Sequence, residues 1–469
     1  MSEPVVAVGV PTPVLNREEA QEVDVQAPSV LSENIDVDKM DAEIEKELKT
    51  NVTLAIQTEV LKKAVGKVER SISKKAVQDV FKMIYIDIQP DTLTFRGINS
   101  DFMTEATVSQ NADQTNFKIT EGKGNSICFP GDKFIQIVKK LNAKKTEIRI
   151  EENQALIKSG RPKFDLLGID GDEFPRTPEL EEGTSVPMHP QVLSMMYDRT
   201  IYAASSKESR PVLTGVLHHL NGTKLKCVAT DAHRLGQFVY ELEEEHEELS
   251  ATIPIKVLTE AKKHLDATEV EVVIHYHGTQ VVYEFEDVKV YGRTIEGNYP
   301  DTDRLIFSSD NTGSSVVVNA GAFKELLSNS TVYNPDQPII ICIKPELNQL
   351  RVNTREAQVG AFQQDLAVTG GEGADLVVGV NVRYLQEAFA RYGNDDSIKL
   401  EFLPAVGDKP TGMQPFKGSL LNGNPDCVEL FVPVRSVEID YHKPVEIEDF
   451  QGVAEFDFDP FKSDFEDIA

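Results

Sequence analysis

The sequence predicts an α+β fold of three similar domains, each built from two β-α-β-β-β units. The first observation is an amphipathic helix pattern that recurs six times between strand-like runs, at intervals of 58 to 74 residues. The second is the likeness between residues 171–180 (GDEFPRTPEL) and residues 296–305 (EGNYPDTDRL), each of which closes a pair of units. Strand-like runs dominate, and each short helix has one apolar face that can pack on a sheet.

The six helices are predicted where a large apolar residue occupies the same position in each unit. These residues are Leu61, Ile135, Leu193, Leu258, Phe323 and Leu385. The units give domain limits of 50–178, 179–307 and 314–436, with residues 308–313 as a linker. Residues 1–49 are predicted to be a disordered acidic extension, and residues 437–469 an acidic tail that contains five phenylalanines.

The net charge of −29 is concentrated at the two ends of the chain. Residues 1–50 carry a net charge of −8 and residues 437–469 a net charge of −9, more than half of the total. Several predicted helices instead carry lysines on the polar face, namely Lys62, Lys63, Lys67, Lys139, Lys140, Lys262 and Lys263. A solvated face is the simpler interpretation for one helix, but the repetition favours a shared basic surface.

Composition also excludes several classes of protein. The four cysteines are far apart and form no C-x-x-C pair, so the sequence predicts neither a zinc site nor a disulfide framework. The N-terminus lacks the features of a signal peptide, and no apolar run reaches the ~18 residues of a membrane span. We expect a soluble, cytoplasmic protein with no membrane contact, no metal and no cofactor.

The stretch from Arg210 to Gly236 is the most informative part of the chain. Strand-like runs at Val212–His219 and Lys224–Ala229 flank Asn221-Gly222, a dipeptide typical of a two-residue hairpin turn. The second run ends in a polar cluster that contains Asp231, His233 and Arg234. An enzyme would use the Asp and His with a nucleophile, but no G-x-S-x-G elbow supplies one. A salt-bridged turn braced by Asp231 is the better interpretation.

Five motifs resemble the bacterial DNA polymerase III beta sliding clamp family and occur in that family's order. They are SGRPKF at 159–164, RPVLTGV at 210–216, VATDAHRLG at 228–236, EGNYPDTDRL at 296–305 and LFVPVR at 430–435. The resemblance covers about residues 51–436. It implies three-domain subunits that form a head-to-tail homodimeric ring around duplex DNA, with helices lining the hole and sheets outside.

The resemblance also implies a function without catalysis. A clamp of this family tethers the replicative DNA polymerase and other proteins with clamp-binding peptides to DNA of any sequence. A clamp-loader ATPase opens the ring, and this chain itself has no G-x-x-x-x-G-K-[ST] loop. The alternative is a scaffold that keeps the peptide groove but does not encircle DNA.

The resemblance implies two sets of binding residues. The partner-peptide groove would contain Leu213, Thr230, His233, Arg234, Leu235, Pro300, Leu305, Leu430, Val432, Pro433, Val434 and Arg435. The DNA contacts would be Lys74, Lys75, Lys139, Lys140, Lys207, Arg210, Lys256 and Lys262.

The chain departs from the family pattern at several points. Ala232 replaces the glycine of the family's T-D-G-H-R-L motif, so strain is expected if that position needs a positive φ. Val432 and Val434 replace methionines, and Pro211 and Val212 replace aromatic residues. The C-terminal tail is interpreted as solvating, as self-occluding through Gln451–Phe456, or as a recruiting segment. These departures indicate a divergent member, and they leave a bacterial, phage or plasmid origin open.

Overall fold

The computed structural model describes residues 51–434, except for 112, 114, 179, 181, 333–337, 357, 358 and 408. The acidic extension predicted for residues 1–49 and the tail predicted for residues 437–469 lie outside the described residues. The predicted groove residue Arg435 also lies outside them. The domain limits stay a prediction.

The six predicted helices are confirmed. They are α1 (Thr58–Val68), α2 (Gly131–Lys140), α3 (Pro190–Asp198), α4 (Ile255–Leu265), α5 (Ala320–Ser330) and α6 (Val382–Phe389). All six residues predicted to share one position, from Leu61 to Leu385, are buried. Each helix therefore packs one apolar face on a sheet, as the spacing of its apolar residues requires.

Ten strands precede residue 171, six lie between residues 184 and 293, and nine follow. The first ten are β1 (Asn51–Gln57), β2 (Met83–Ile88), β3 (Thr92–Ile98), β4 (Phe102–Ser109), β5 (Phe117–Glu121), β6 (Asn125–Pro130), β7 (Lys145–Glu151), β8 (Gln154–Lys158), β9 (Lys163–Leu167) and β10 (Ile169–Asp170). The next six are β11 (Thr184–Met188), β12 (Gly215–Thr230), β13 (Arg234–Pro254), β14 (Val272–His277), β15 (Gln280–Glu284) and β16 (Val288–Arg293). The last nine are β17 (Ser314–Asn319), β18 (Pro338–Lys344), β19 (Gln349–Glu356), β20 (Gly360–Ala367), β21 (Thr369–Gly373), β22 (Leu376–Asn381), β23 (Ser397–Phe402), β24 (Phe416–Leu420) and β25 (Val428–Phe431).

These strands form four antiparallel sheets in the described part of the chain. Their strand orders are β5-β1-β7-β8-β9, β10-β6-β2-β3-β4-β16-β15-β14-β11, β12-β13-β25-β24-β23-β17-β21 and β20-β19-β18-β22. The nine-stranded sheet continues across the predicted first domain limit through β4 and β16, and the seven-stranded sheet crosses the second through β13 and β25. Continuous backbone pairing therefore joins neighbouring predicted domains at both places.

The stretch around Asn221-Gly222 differs from the prediction. Residues 211–214 form a 3₁₀ turn, so the strand begins at Gly215 and not at Val212. The strand assignment then continues through Asn221 and Gly222 to Thr230. Pairing with β13 shifts register on both sides of Gly222, whose φ is 58°. The predicted positive φ is present, but it interrupts the pairing within one strand element, as in a bulge.

Two large apolar cores fill the spaces between helices and sheets. One contains residues from Val52 to Val290 and the other residues from Val316 to Phe431. The half-buried Tyr202 packs against both. A smaller apolar cluster accompanies each of the two sheet junctions, and the one beside β13 and β25 belongs to the candidate site described next.

Candidate functional site

Residues 231–233 form the hairpin tip between β12 and β13, and Asp231 braces it. Its Oδ1 accepts hydrogen bonds from the backbone N–H groups of His233 at 2.9 Å and Arg234 at 3.0 Å, and its Oδ2 accepts from Arg234 Nε at 3.1 Å. Thr230 adds a bond from its hydroxyl to the Arg234 carbonyl at 2.6 Å. Asp231 thus contacts the backbone of His233 and not its imidazole. The bracing role is confirmed, and this geometry does not match an Asp-His catalytic pair.

Ala232 occupies the most strained position of the hairpin tip. Its φ is 74°, in the left-handed region that favours glycine. The backbone N–H of Ala232 donates to the Thr230 hydroxyl at 3.1 Å, which holds the residue in this conformation. The loop therefore keeps the backbone shape that a glycine would adopt, at a cost in conformational energy.

Arg234 ties the hairpin tip to helix α6. The side chain is nine-tenths buried and pairs with Asp231 at 3.1 Å and with Glu387 of α6 at 2.5 Å. Its guanidinium lies 4.6 Å from the ring centroid of Tyr384 and 5.4 Å from that of Tyr202. Two aromatic rings and two carboxylates suit a planar guanidinium better than an ammonium group.

An apolar groove floor lies beside the hairpin tip, at the junction of β13 with β25. It consists of the buried residues Val228, Leu235 and Leu430, and Leu235 pairs directly with Leu430. Four half-buried apolar residues surround the floor, namely Leu217, Tyr299, Ile306 and Phe307. Because the Tyr299 hydroxyl accepts a bond from Thr230 N at 3.1 Å, this wall is fixed to the end of β12.

The structure brings most of the predicted groove residues to this junction. Thr230, Arg234, Leu235 and Leu430 are buried, while His233, Pro300, Leu305 and Val432 are exposed and Pro433 and Val434 are half-buried. The backbone N–H of Val432 donates to the His233 carbonyl at 2.8 Å, and the His233 ring stacks on Tyr384 at a centroid distance of 6.3 Å. Leu213 is also buried, and it lies in the 3₁₀ turn Pro211–Thr214 that precedes β12.

Sequence reasoning missed a buried ion pair that holds the same junction. Glu429 of β25 accepts a bond from Arg199, at the end of α3, at 3.0 Å, and another from the Tyr392 hydroxyl at 2.6 Å. Burial raises the pKa of Glu429 to about 7, although Arg199 and Tyr392 oppose the rise. Arg199 and Glu429 are 230 residues apart in the chain, so no local pattern could have indicated the pair.

The predicted DNA-contact residues fall into two groups. Lys74, Lys75, Lys207 and Arg210 are exposed in two loops, and Lys140 is exposed at the end of α2. The other three are ion-paired. Lys139 is 2.6 Å from Glu69, Lys256 is 2.9 Å from Asp101, and Lys262 lies 3.3 Å from Asp198 and 2.9 Å from Asp266. The structure does not gather these eight residues into one cluster.

Two further features, a metal-binding cluster and a membrane-spanning helix, are absent from the described residues. No group of three or more His, Cys, Asp or Glu side chains there could hold a metal ion. Within the same residues, every helix is too short or too polar to cross a bilayer.

Comparisons with known proteins show the family of this chain. Models of the DNA polymerase III beta subunit match residues 52–178 as its N-terminal domain and residues 188–301 as its central domain, together just over half of the chain. The chain is 28% identical to the beta sliding clamp of Staphylococcus epidermidis over 370 residues, which cover 78% of this chain and 95% of that protein. It is 27% identical to the clamp of Staphylococcus aureus over 369 residues, with the same coverage.

Solved structures confirm the predicted clamp fold. The DNA polymerase sliding clamp of Bacillus subtilis superposes with a TM-score of 0.76 at 27% identity, covering 82% of this chain and all of that one. The beta subunit of Streptococcus pyogenes superposes with a TM-score of 0.75 at 26% identity and the same coverage. The chain therefore belongs to the DNA polymerase III beta subunit family, the beta sliding clamps.

Proposed function

We propose that this chain is a non-catalytic processivity factor, a cytoplasmic ring that encircles duplex DNA and tethers a replicative polymerase. Two copies join head to tail, and a clamp-loader ATPase opens the ring. The three domains have the limits 50–178, 179–307 and 314–436. The observation that carries the proposal is the six-fold repeat of sheet-packed helices, because the same repeat builds the clamps with which this chain superposes.

The physical basis of processivity is topology and not affinity. A ring threaded on DNA stays on it without tight binding, so diffuse contacts between lysines and phosphates permit sliding. The cations proposed for this role are the exposed Lys74, Lys75, Lys140, Lys207 and Arg210, together with the ion-paired Lys139, Lys256 and Lys262. None of these contacts reads a base, so binding is independent of sequence.

The partner site is the groove at the junction of β13 and β25. Its floor is apolar, and its exposed rim includes Leu305 and Val432 beside the polar His233. Such a site suits a short peptide that inserts large apolar side chains and is oriented by a few polar groups. We assign to it the polymerase and other proteins that carry clamp-binding peptides.

Loading on nicked circular DNA tests the proposal. With its loader and ATP, the protein should stay on the circle and dissociate once the DNA is cut to a linear form, because the threaded ring slides off the ends. Retention after linearisation would contradict topological binding. A protein that binds the peptide but never loads, and sediments as a monomer, would favour the scaffold that does not encircle DNA.

A further inference from the structure

Two of the lysines proposed to contact DNA are held by carboxylates from other elements. Lys139, at the end of α2, pairs with Glu69 in the 3₁₀ turn that follows α1, at 2.6 Å. Lys256, at the start of α4, pairs with both oxygens of Asp101 at 2.9 Å, and Asp101 lies in the turn between β3 and β4. Each carboxylate therefore neutralises a lysine that a DNA phosphate group would otherwise contact.

Both pairs are open to exchange. The side chains of Lys139 and Lys256 are 61% and 68% exposed, and those of Glu69 and Asp101 are each 31% exposed. Ion pairs in contact with solvent are weak, so a phosphate can replace the carboxylate at small cost. Lys262 differs, because it is only 20% exposed and lies between Asp198 and Asp266.

We propose that Glu69 and Asp101 are competing anions that lower the affinity of the ring for DNA. The inference rests on the proposed DNA-encircling function. When DNA is absent, each carboxylate neutralises its lysine. When a DNA phosphate approaches, the lysine exchanges its carboxylate partner for the phosphate. The net gain in electrostatic attraction is therefore small. Weak and evenly distributed binding to DNA favours movement of the ring along the duplex.

The salt dependence of DNA binding distinguishes a competing anion from a simple structural pair. A lysine that binds phosphate directly releases a condensed counterion and contributes about 0.9 to the slope of log K against log salt concentration. A lysine whose carboxylate is displaced contributes less, because the freed carboxylate attracts a cation in turn. Removing the carboxylate should therefore strengthen binding and steepen the slope.

The test measures binding of a fluorescent primed duplex by anisotropy at several salt concentrations. Asp101→Asn and Glu69→Gln should each raise affinity roughly two- to five-fold at low salt, in line with the strength of exposed ion pairs. The double variant should steepen the slope by up to about 1.8. Asp303→Asn is the matched control, since Asp303 pairs at 2.7 and 2.9 Å with Lys226 of β12, and neither residue is among the proposed DNA contacts.

A double-mutant cycle makes the test specific to exchange. Lys256→Gln should reduce DNA affinity only slightly in the natural chain but abolish the whole gain in the Asp101→Asn background. Equal losses in both backgrounds, or an unchanged slope in folded variants with normal melting curves, would overturn the inference and leave DNA binding intact. If the natural chain binds no duplex at any salt concentration, the inference is overturned, whereas the proposed function is decided separately by loading on nicked circular DNA.

Discussion

Ala232 is the residue at which the backbone of the candidate site stores strain. An L-residue in the left-handed region costs about 1–2 kcal/mol, and glycine relieves this strain. Glycine also makes the unfolded chain more flexible, which offsets part of the gain in stability. With a φ of 74°, Ala232→Gly should raise the free energy of unfolding by about 0.5–1 kcal/mol. Urea unfolding of the two proteins measures the difference.

Gly222 provides the matched control for this prediction. Its φ is 58°, and a Cβ added there would meet no other atom within 4 Å. Gly222→Ala therefore changes the backbone energy without a clash, and it should destabilise the protein by a similar amount. If Ala232→Gly lowered stability while Gly222→Ala behaved as expected, then the Ala232 side chain would have a packing role that outweighs its strain.

At the residue scale, the sequence predicted interactions that are local and missed those that are not. Bracing by Asp231 was predictable because an aspartate readily accepts bonds from the backbone two and three residues ahead. The pairing of Arg234 with Glu387 was not, because 153 residues separate the two. The same applies to the pairs of Lys139 with Glu69 and of Lys256 with Asp101, which are 70 and 155 residues apart in the chain.

At the element scale, helices were predicted more accurately than strands. Each of the six helices contains the apolar residue predicted for it, because apolar residues recur there with the helical period. The Asn-Gly pair was misleading, since a positive φ suits an irregularity within a strand as well as a hairpin turn. Strand alternation also gives no information on which strand lies alongside, so the sheets that continue from β4 to β16 and from β13 to β25 were not foreseen.

The rim of the groove gives the sharpest test of partner binding. Leu213 and Leu235 are buried, so truncating them would disturb the fold as well as the groove. Leu305 is 51% exposed, and Leu305→Ala should weaken a peptide with a Gln and large apolar anchors by roughly 1–2 kcal/mol, as expected of an interface contact that excludes water. Titration calorimetry with the peptide measures the loss.

Leu347→Ala is the matched control for the groove. Leu347 is 52% exposed and lies in the 3₁₀ turn Pro345–Leu347, between β18 and β19. Its truncation removes the same atoms at the same exposure and should leave peptide affinity unchanged. Equal peptide affinity for Leu305→Ala and the natural chain would place the partner site elsewhere.

At the scale of the whole molecule, one rule describes both sheet junctions. In each junction, the third strand after one helix pairs with the third strand after another helix. In this count β12 is taken as two strands, which are separated by the irregularity at Gly222. Thus β4, after α1, pairs with β16, after α4, and β13, after α3, pairs with β25, after α6. The remaining third strands are β9, after α2, and β20, after α5. Each of them ends its own sheet in the described part of the chain.

A third junction of the same kind between two copies would close the ring. Unpaired N–H and C=O groups on an edge strand favour pairing with another chain, and β9 and β20 lie in different predicted domains of one protomer. We therefore expect β9 of one protomer to pair with β20 of the next, which is a head-to-tail contact that closes after two copies. Leu167 of β9 is 72% exposed and would be covered by this contact.

Placing a charge at Leu167 should therefore break the dimer. Leu167→Glu would bury an unpaired carboxylate at the contact, which costs at least ~1.4 kcal/mol and raises the dimer dissociation constant about ten-fold or more. Analytical ultracentrifugation over a range of concentrations measures the shift toward monomer. Val270→Glu is the control, since Val270 is 51% exposed and follows α4 in the central part of the chain. An unchanged dimer in Leu167→Glu, with a normal melting curve, would mean that β9 is not the ring-closing edge.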